Sequence, residues 1–244
     1  NYTKGGREIE CGGIHSFLRQ RFYAHHRSNR SERKHKQTSI IGSSVAQGKL
    51  VDAQIEAITK GQKPKRLHKL TVALLDWWKA RGHTLHAAQV PVELAQGYAR
   101  MTQADVITQG PDGRLWVWEV KTGWPVGFYH SQGNFASAPL TDIPCTQENI
   151  WYLQLHYTHQ ALVTCAALPI DLECAGVLQV YQKKVPKTKG LPRQEAKVIV
   201  EHRSVPQWLR TRVPLLAPPT LGLGVPVLLK KRPRKEEHEE DNHQ

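Results

Sequence analysis

Disulfide potential, acidic charge and uninterrupted apolar runs are all scarce in this chain of 244 residues. Four cysteines (Cys11, Cys145, Cys165 and Cys174) contain no CxxC pair, and a chain this long can bury a core without covalent staples. Free thiols in a reducing compartment are therefore expected. The longest apolar run, VPLLAPPTLGLGVPVLL over 213–229, is short for a membrane span and broken by four prolines and two glycines, so it reads as an extended segment. No secretory signal pattern is seen. The chain opens on Asn1 rather than Met, as a fragment of a longer protein would. We find no internal repeat.

Acidic residues are outnumbered 21 to 34 by Lys and Arg, and the formal charge of +13 points to a polyanionic partner, nucleic acid ahead of membrane. The charge is uneven. Residues 19–36 (RQRFYAHHRSNRSERKHK) hold seven Lys/Arg against one acid, with Phe22 and Tyr23 interleaved, a solvated arm or a phosphate-contacting one. The chain ends in KKRPRK (230–235) followed by EEHEED (236–241), a charged disordered tail whose basic block, Lys230 to Lys235, resembles a nuclear import signal. We expect an N-terminal basic arm over 1–41, a globular domain over 42–212 and an extended Pro-rich segment with a charged tail over 213–244.

Within the domain, periodicity predicts a helix over 42–62 with Val51, Ile55 and Ile58 on its apolar face, and a second over about 66–81. Strand patterns follow at about 84–95, 102–108 and 114–121, the last two joined by the turn sequence QGPDG. An irregular stretch (122–145) precedes a helix over about 147–166. Alternating strands at 177–185 and 196–204 close the domain around a basic hairpin containing Lys187, Lys189 and Arg193.

The sequence LWVWEVKTG (115–123) carries the chemistry. On a strand, residues i and i+2 share a face at roughly 6.6 Å, so Glu119 and Lys121 stand side by side. If the preceding turn is centred on Asp112, Asp105 lies opposite Glu119 at about 5 Å on the same face. A centre half a step earlier sets Asp105 opposite Trp118, facing away. Two carboxylates so close repel unless a cation lies between them. Hard oxygen donors suit Mg²⁺ or Mn²⁺, and such a site beside a lysine can hydrolyse phosphodiesters.

Asp105, Glu119-Val120-Lys121 and the following Thr-Gly resemble the PD-(D/E)XK nuclease superfamily, and the flanking helices resemble its RecB / λ-exonuclease-like branch. Gly48 to Asp52 corresponds to the branch's Gly-x-x-x-His or acidic motif, with Glu56 one turn further on. Gln154 and Tyr157 correspond to its Gln-x-x-x-Tyr motif, one residue tighter, with Thr158 at the usual Tyr position. Ala104 replaces the superfamily's proline. The resemblance spans about 42–204. It implies a restriction-endonuclease-like α/β fold, a mixed sheet of four to five strands flanked by helices in the order ααβββαββ. It also implies metal binding by Asp105, Glu119, the Val120 backbone carbonyl and Asp52, with Lys121 serving the attacking water. Gln154 and Tyr157 would position their helix or touch the scissile strand. The implied activity is Mg²⁺- or Mn²⁺-dependent hydrolysis of DNA to 5′-phosphate and 3′-hydroxyl ends, by endo- or exonucleolytic attack, as in mobile elements, viruses or repair. RNA stays open as a substrate.

Other readings compete. A catalytically inactive nucleic-acid-binding module could share the fold. Cys11, His15, His25, His26 and His35 crowd the N-terminal segment without an established zinc-finger spacing. Trp77, Trp78, Trp116 and Trp118 read as core, whereas Trp124, Phe128 and Tyr129 are candidates for stacking on a single strand.

Overall fold

A computed structural model describes residues 2–4, 7–9, 12–22, 38–94, 100–122, 130–183 and 197–213. The domain is α/β, a mixed sheet flanked by helices. In chain order come a small hairpin β1 (Tyr2–Lys4) and β2 (Arg7–Ile9), the two-residue β3 (Gly12–Gly13), and α1 (Ile14–Phe22). Then come α2 (Thr38–Thr59), α3 (Lys69–Lys79), β4 (Thr84–Glu93), β5 (Arg100–Gln109) and β6 (Leu115–Thr122). A short pair, β7 (His130–Phe135) and β8 (Pro144–Thr146), leads into α4 (Gln147–Thr164), β9 (Ala175–Lys183), β10 (Lys197–Ser204) and α5 (Gln207–Arg212). The expected series of two helices, three strands, a helix and two strands is α2 to β6 followed by α4 to β10, and the stretch 122–145, expected to be irregular, adds the β7–β8 pair between them.

β4, β5 and β6 form an antiparallel meander, β6 pairs in parallel with β9 across the α4 crossover, and β10 returns antiparallel to β9. β4 occupies one edge of β5 along most of its length. The other edge is shared: β6 takes Val106–Gln109, while β3 takes Arg100–Met101. The sheet therefore forks beside β5, and Asp105 stands at the fork.

Both faces of the sheet are covered, which explains the continuous burial along β9. α2 and α3 press Val51, Ile55, Leu70, Leu74 and Trp78 against Val106, Trp118, Val120, Leu178 and Val180. On the other face, α4 packs with Ile107, Val117 and Val177. Each helix has local causes. α4 starts where Thr146 Oγ1 accepts from Asn149 N at 3.1 Å, with Glu148 in the positive first turn. α2 stops at Gly61, whose φ of 74° suits a residue without a Cβ.

Three features depart from the sequence reading. First, the segment expected as a basic arm is partly core. α1 buries Ile14, Phe17, Leu18 and Phe22, and Phe22 lies 6.1 Å from the Tyr157 ring, so it does not serve as an exposed stacking group. Three to four apolar residues on one helical face outweigh the flanking charge. Second, α2 begins at Thr38, before the expected boundary at 42. Third, α4 is buried on every side from Trp151 to Leu162, because α1 and α5 cover the face turned away from the sheet. The tail block 230–235, the hairpin lysines, Cys11, Trp124, Phe128, Tyr129 and most of 213–229 lie outside the described residues. Among the described residues no helix is long and apolar enough to cross a membrane.

The closure of α4 traps histidine. His156 Nε2 lies 2.7 Å from Gln160 Nε2, while His156 Nδ1 is buried without a partner. Burial, helped by nearby His159, pushes the His156 pKa down to about 4. An unfolded chain binds this proton near pH 6.5, so protonation favours unfolding as pH falls from 6.5 towards 4. The site should contribute a stability loss on the order of 3 kcal/mol across that window. Denaturant melts at pH 7 and pH 4.5 should show a smaller pH dependence in His156→Leu than in the native chain.

Candidate active site at the sheet fork

The geometry starts in the turn. Gln109 pairs with Leu115, which leaves the five residues 110–114 as the connection, centred on Asp112. Gly113 takes φ 80°, Gly110 N donates to Arg114 O at 2.8 Å, and Arg114 N donates to Asp112 Oδ1 at 3.1 Å. An odd-length loop sets partner numbers that sum to a constant, as Val106↔Trp118 and Ile107↔Val117 do. One step further, the same register sets Asp105 opposite Glu119.

The local backbone sharpens this meeting. Thr102 Oγ1 bonds Thr158 Oγ1 on α4 at 2.6 Å, and Ile107 packs in the same core cluster as Ala104. Residues an odd number apart can share a face only if the strand kinks between them. Neighbouring β4 carries Gln89 at φ 53° where it passes the kink. Asp105 uses the opening: its Oδ2 accepts from Val120 N at 2.9 Å, the donor a continued ladder would have engaged. In an extended strand the N–H and C=O of one residue point to the same side, so the Val120 carbonyl faces this edge as well.

Glu119 is 1% exposed, and Lys121 Nζ contacts its Oε1. Gln154 Oε1 on α4 accepts from Lys121 Nζ at 3.4 Å. Burial first, and the Asp105 charge second, raise the Glu119 pKa to about 8. Burial also raises Asp105, against the pull of the Lys121 ammonium and the Val120 N–H. Burial alone would depress Lys121, but Glu119 and Asp105 outweigh it and hold its pKa above the usual lysine value, with Asp52 adding to them. Burial thus raises the proton affinity of both carboxyl groups, and both face the one Lys121 ammonium.

Asp52 reaches this group from the opposite layer. Gly48, one turn earlier on α2, lies so close to β6 that an added Cβ would sit 2.9 Å from Thr122 Oγ1. That approach seats the helix on the end of the Glu-x-Lys strand and brings the Asp52 charge to Lys121. Glu56 instead pairs with Lys60 at 2.7 Å on the exposed side of the helix.

Of the residues singled out in the sequence, Asp105, Glu119, Val120, Lys121 and Gln154 converge, and Asp52 borders them. Tyr157 does not. It is fully buried, with its ring 5.0 Å from Phe17 and 6.1 Å from Phe22, and burial pushes its pKa up to about 12. It therefore cannot touch a substrate strand, and its contribution is to seat α4 against α1. Thr158 ties α4 to β5 through Thr102.

Sequence reasoning missed Gln179 and Arg203. Gln179 is 1% exposed and is the β9 partner of Lys121, so the two side chains share a face. Arg203 Nη2 donates to Gln179 Oε1 at 3.2 Å and to Glu201 Oε2 at 2.9 Å, and its Nη1 donates to Glu148 Oε1 at 2.8 Å. A polar stratum thus crosses the buried face from Asp105 to β10. Nothing in one sequence identifies the neighbours of Gln179 or Arg203.

The donor set fits a small hard cation. Two carboxylates with raised proton affinity and one backbone carbonyl on a common edge supply the oxygen ligands that Mg²⁺ accepts while keeping several waters. Among the described residues no group of three or more His, Cys, Asp or Glu side chains is arranged to hold a metal. The sequence matches no family model and no curated protein.

A cation would relieve the cost of ionising Glu119 near neutral pH. Mg²⁺ at about 100 times its Kd should stabilise by about 2.7 kcal/mol, raising the Tm by about 5–10 °C at pH 8. In Asp105→Asn and Glu119→Gln the increment should fall to near zero; an undiminished increment would place the ion elsewhere.

Proposed function

We propose that this protein is a divalent-metal-dependent nuclease of the PD-(D/E)XK type that hydrolyses DNA phosphodiester bonds. The observation that carries this reading is the convergence at the sheet fork of a carboxylate from β5 with Glu119 and Lys121 from β6. A salt pair alone would need only Glu119 and Lys121. It gives no reason to set a second, half-buried carboxylate beside them, since two acids that share one ammonium repel unless a further cation lies between them.

Asp105 and Glu119 would hold Mg²⁺ or Mn²⁺ with the Val120 carbonyl, and Asp52 would reach it through the edge beside Lys121. When bound, the ion supplies charge neutralisation at the phosphate and a more acidic water. Lys121 donates a hydrogen bond that orients the attacking water, and Gln154 restrains the ammonium on its other side. Val120 N–H holds one Asp105 oxygen, which keeps that carboxylate aimed. Water attacks phosphorus and gives up a proton to solvent, the bond from phosphorus to the 3′ oxygen breaks, and that oxygen takes a proton back from solvent as it leaves. The products are a 5′-phosphate and a 3′-hydroxyl. The net charge of +13 suits a phosphate-rich substrate.

Supercoiled circular and linear DNA, incubated with Mg²⁺ or with EDTA, test the reading. Cleavage should require the ion and should fall by at least about 10³-fold in Asp105→Asn, Glu119→Gln and Lys121→Ala, in keeping with the loss of electrostatic stabilisation at a catalytic centre. Cleavage that persists in EDTA, or in Lys121→Ala, contradicts the mechanism. Binding without cleavage of DNA or RNA under any divalent ion supports an inactive binding module.

A further inference from the structure

The segment from Lys60 to Lys69 (KGQKPKRLHK) joins α2 to α3 with five Lys/Arg and no acid. Lys63, Lys65, Arg66 and Lys69 are exposed, and among the described residues none of the four forms an ion pair; Lys60 alone is engaged, by Glu56. Four uncompensated cations within seven residues repel one another, so a fixed shape here needs support.

Gln54, 8% exposed, gives that support from α2. Its Nε2 donates to Arg66 O at 2.9 Å, and its Oε1 accepts from His68 N at 2.9 Å and from Thr71 Oγ1 at 2.7 Å. The far end is fixed by His68, whose Nδ1 accepts from Leu70 N at 3.3 Å and caps α3. At the near end, Gln62 N donates to Ala57 O at 2.9 Å. One buried amide thus staples a like-charged loop into a single form, at a point where nothing in the domain uses its charge. Lys63 also borders a groove of about 230 Å³ between α2 and the loop.

We infer that residues 60–69 form a phosphate-binding ledge for the nucleic-acid backbone, on the same strand of substrate that enters the sheet fork. The inference rests on the nuclease reading for the direction of the substrate, and on the loop itself for the charge. The loop folds back along α2: Gln54, two residues beyond Asp52, holds Arg66 O and His68 N, so the phosphate contacts of the ledge would flank the helix that carries Asp52. Such contacts carry no sequence information and set register. A nucleic acid fits better than an acidic protein because the cations form a short row without interleaved apolar anchors, beyond the single Leu67.

The test is fluorescence anisotropy of the full chain with a labelled 30-base-pair duplex in EDTA, over a range of KCl, so that binding is read apart from cleavage. Replacing Lys63, Lys65 and Arg66 by Ser should weaken binding at least about tenfold near 0.1 M salt and flatten the log Kd against log[KCl] slope by about 2.7, at about 0.9 per phosphate. The charge-preserving variant Lys63→Arg/Lys65→Arg/Arg66→Lys should keep the native slope. A Lys79→Ser/Lys197→Ser control, altering exposed lysines elsewhere, should keep it within about one unit less steep than native. An unchanged slope in the triple Ser variant overturns the ledge. So does an equal loss per charge in the control, or a native chain that binds anionic phospholipid vesicles but not DNA. A slope that depends on the ledge, in a protein that never cuts DNA with Mg²⁺, upholds the ledge and discards the nuclease reading.

Discussion

Two carboxylates facing each other across neighbouring strands are the constraint on which the site depends. Asp105 and Glu119 meet because five residues, not four, connect Gln109 to Leu115. Removing one would turn Asp105 into the opposite layer, among Val106, Trp118 and Val120 and away from Lys121. The fork in the sheet follows from the same place. Where β6 leaves β5, the Asp105 side chain takes over a backbone donor of β6.

The second constraint is the closeness of α2. Glycine at position 48 lets the helix approach Thr122 more nearly than any side chain would permit. The approach brings the Asp52 charge toward Lys121, and the same helix holds the Lys60–Lys69 loop through Gln54. Gln154 and Lys121 make the matching link on the other side of the sheet, where α4 is held by α1 through Tyr157, Phe17 and Phe22.

Much of this was legible in the sequence because each feature had a local cause. QGPDG marked the turn, period-two alternation in LWVWEVK separated the Glu119 face from the Trp118 face, and helical spacing of Val51 and Ile55 marked the buried side of α2. The register was not legible, since two loop centres satisfy the same turn residues and only the ladder chooses between them. The place of α1 was hidden by composition. Basic residues from Arg19 onward masked a four-residue apolar face that only a partner helix makes sense of. Of the two roles expected for Tyr157 the burial favours helix positioning, a choice hidden in the sequence because on a helix buried all round the pattern cannot say which side a given polar residue faces. Gln179 and Arg203 lie far apart from Lys121 in sequence and become neighbours only through the parallel β6–β9 pairing.

The most direct measurement is a crystal of the protein grown with Mn²⁺, examined for anomalous scattering. The account predicts a peak about 2.1 Å from oxygens of both Asp105 and Glu119, with the Lys121 ammonium displaced from Glu119 yet still held beside Gln154. A site left without a peak at saturating Mn²⁺, or a peak bound by other residues while Lys121 stays on Glu119, would contradict it.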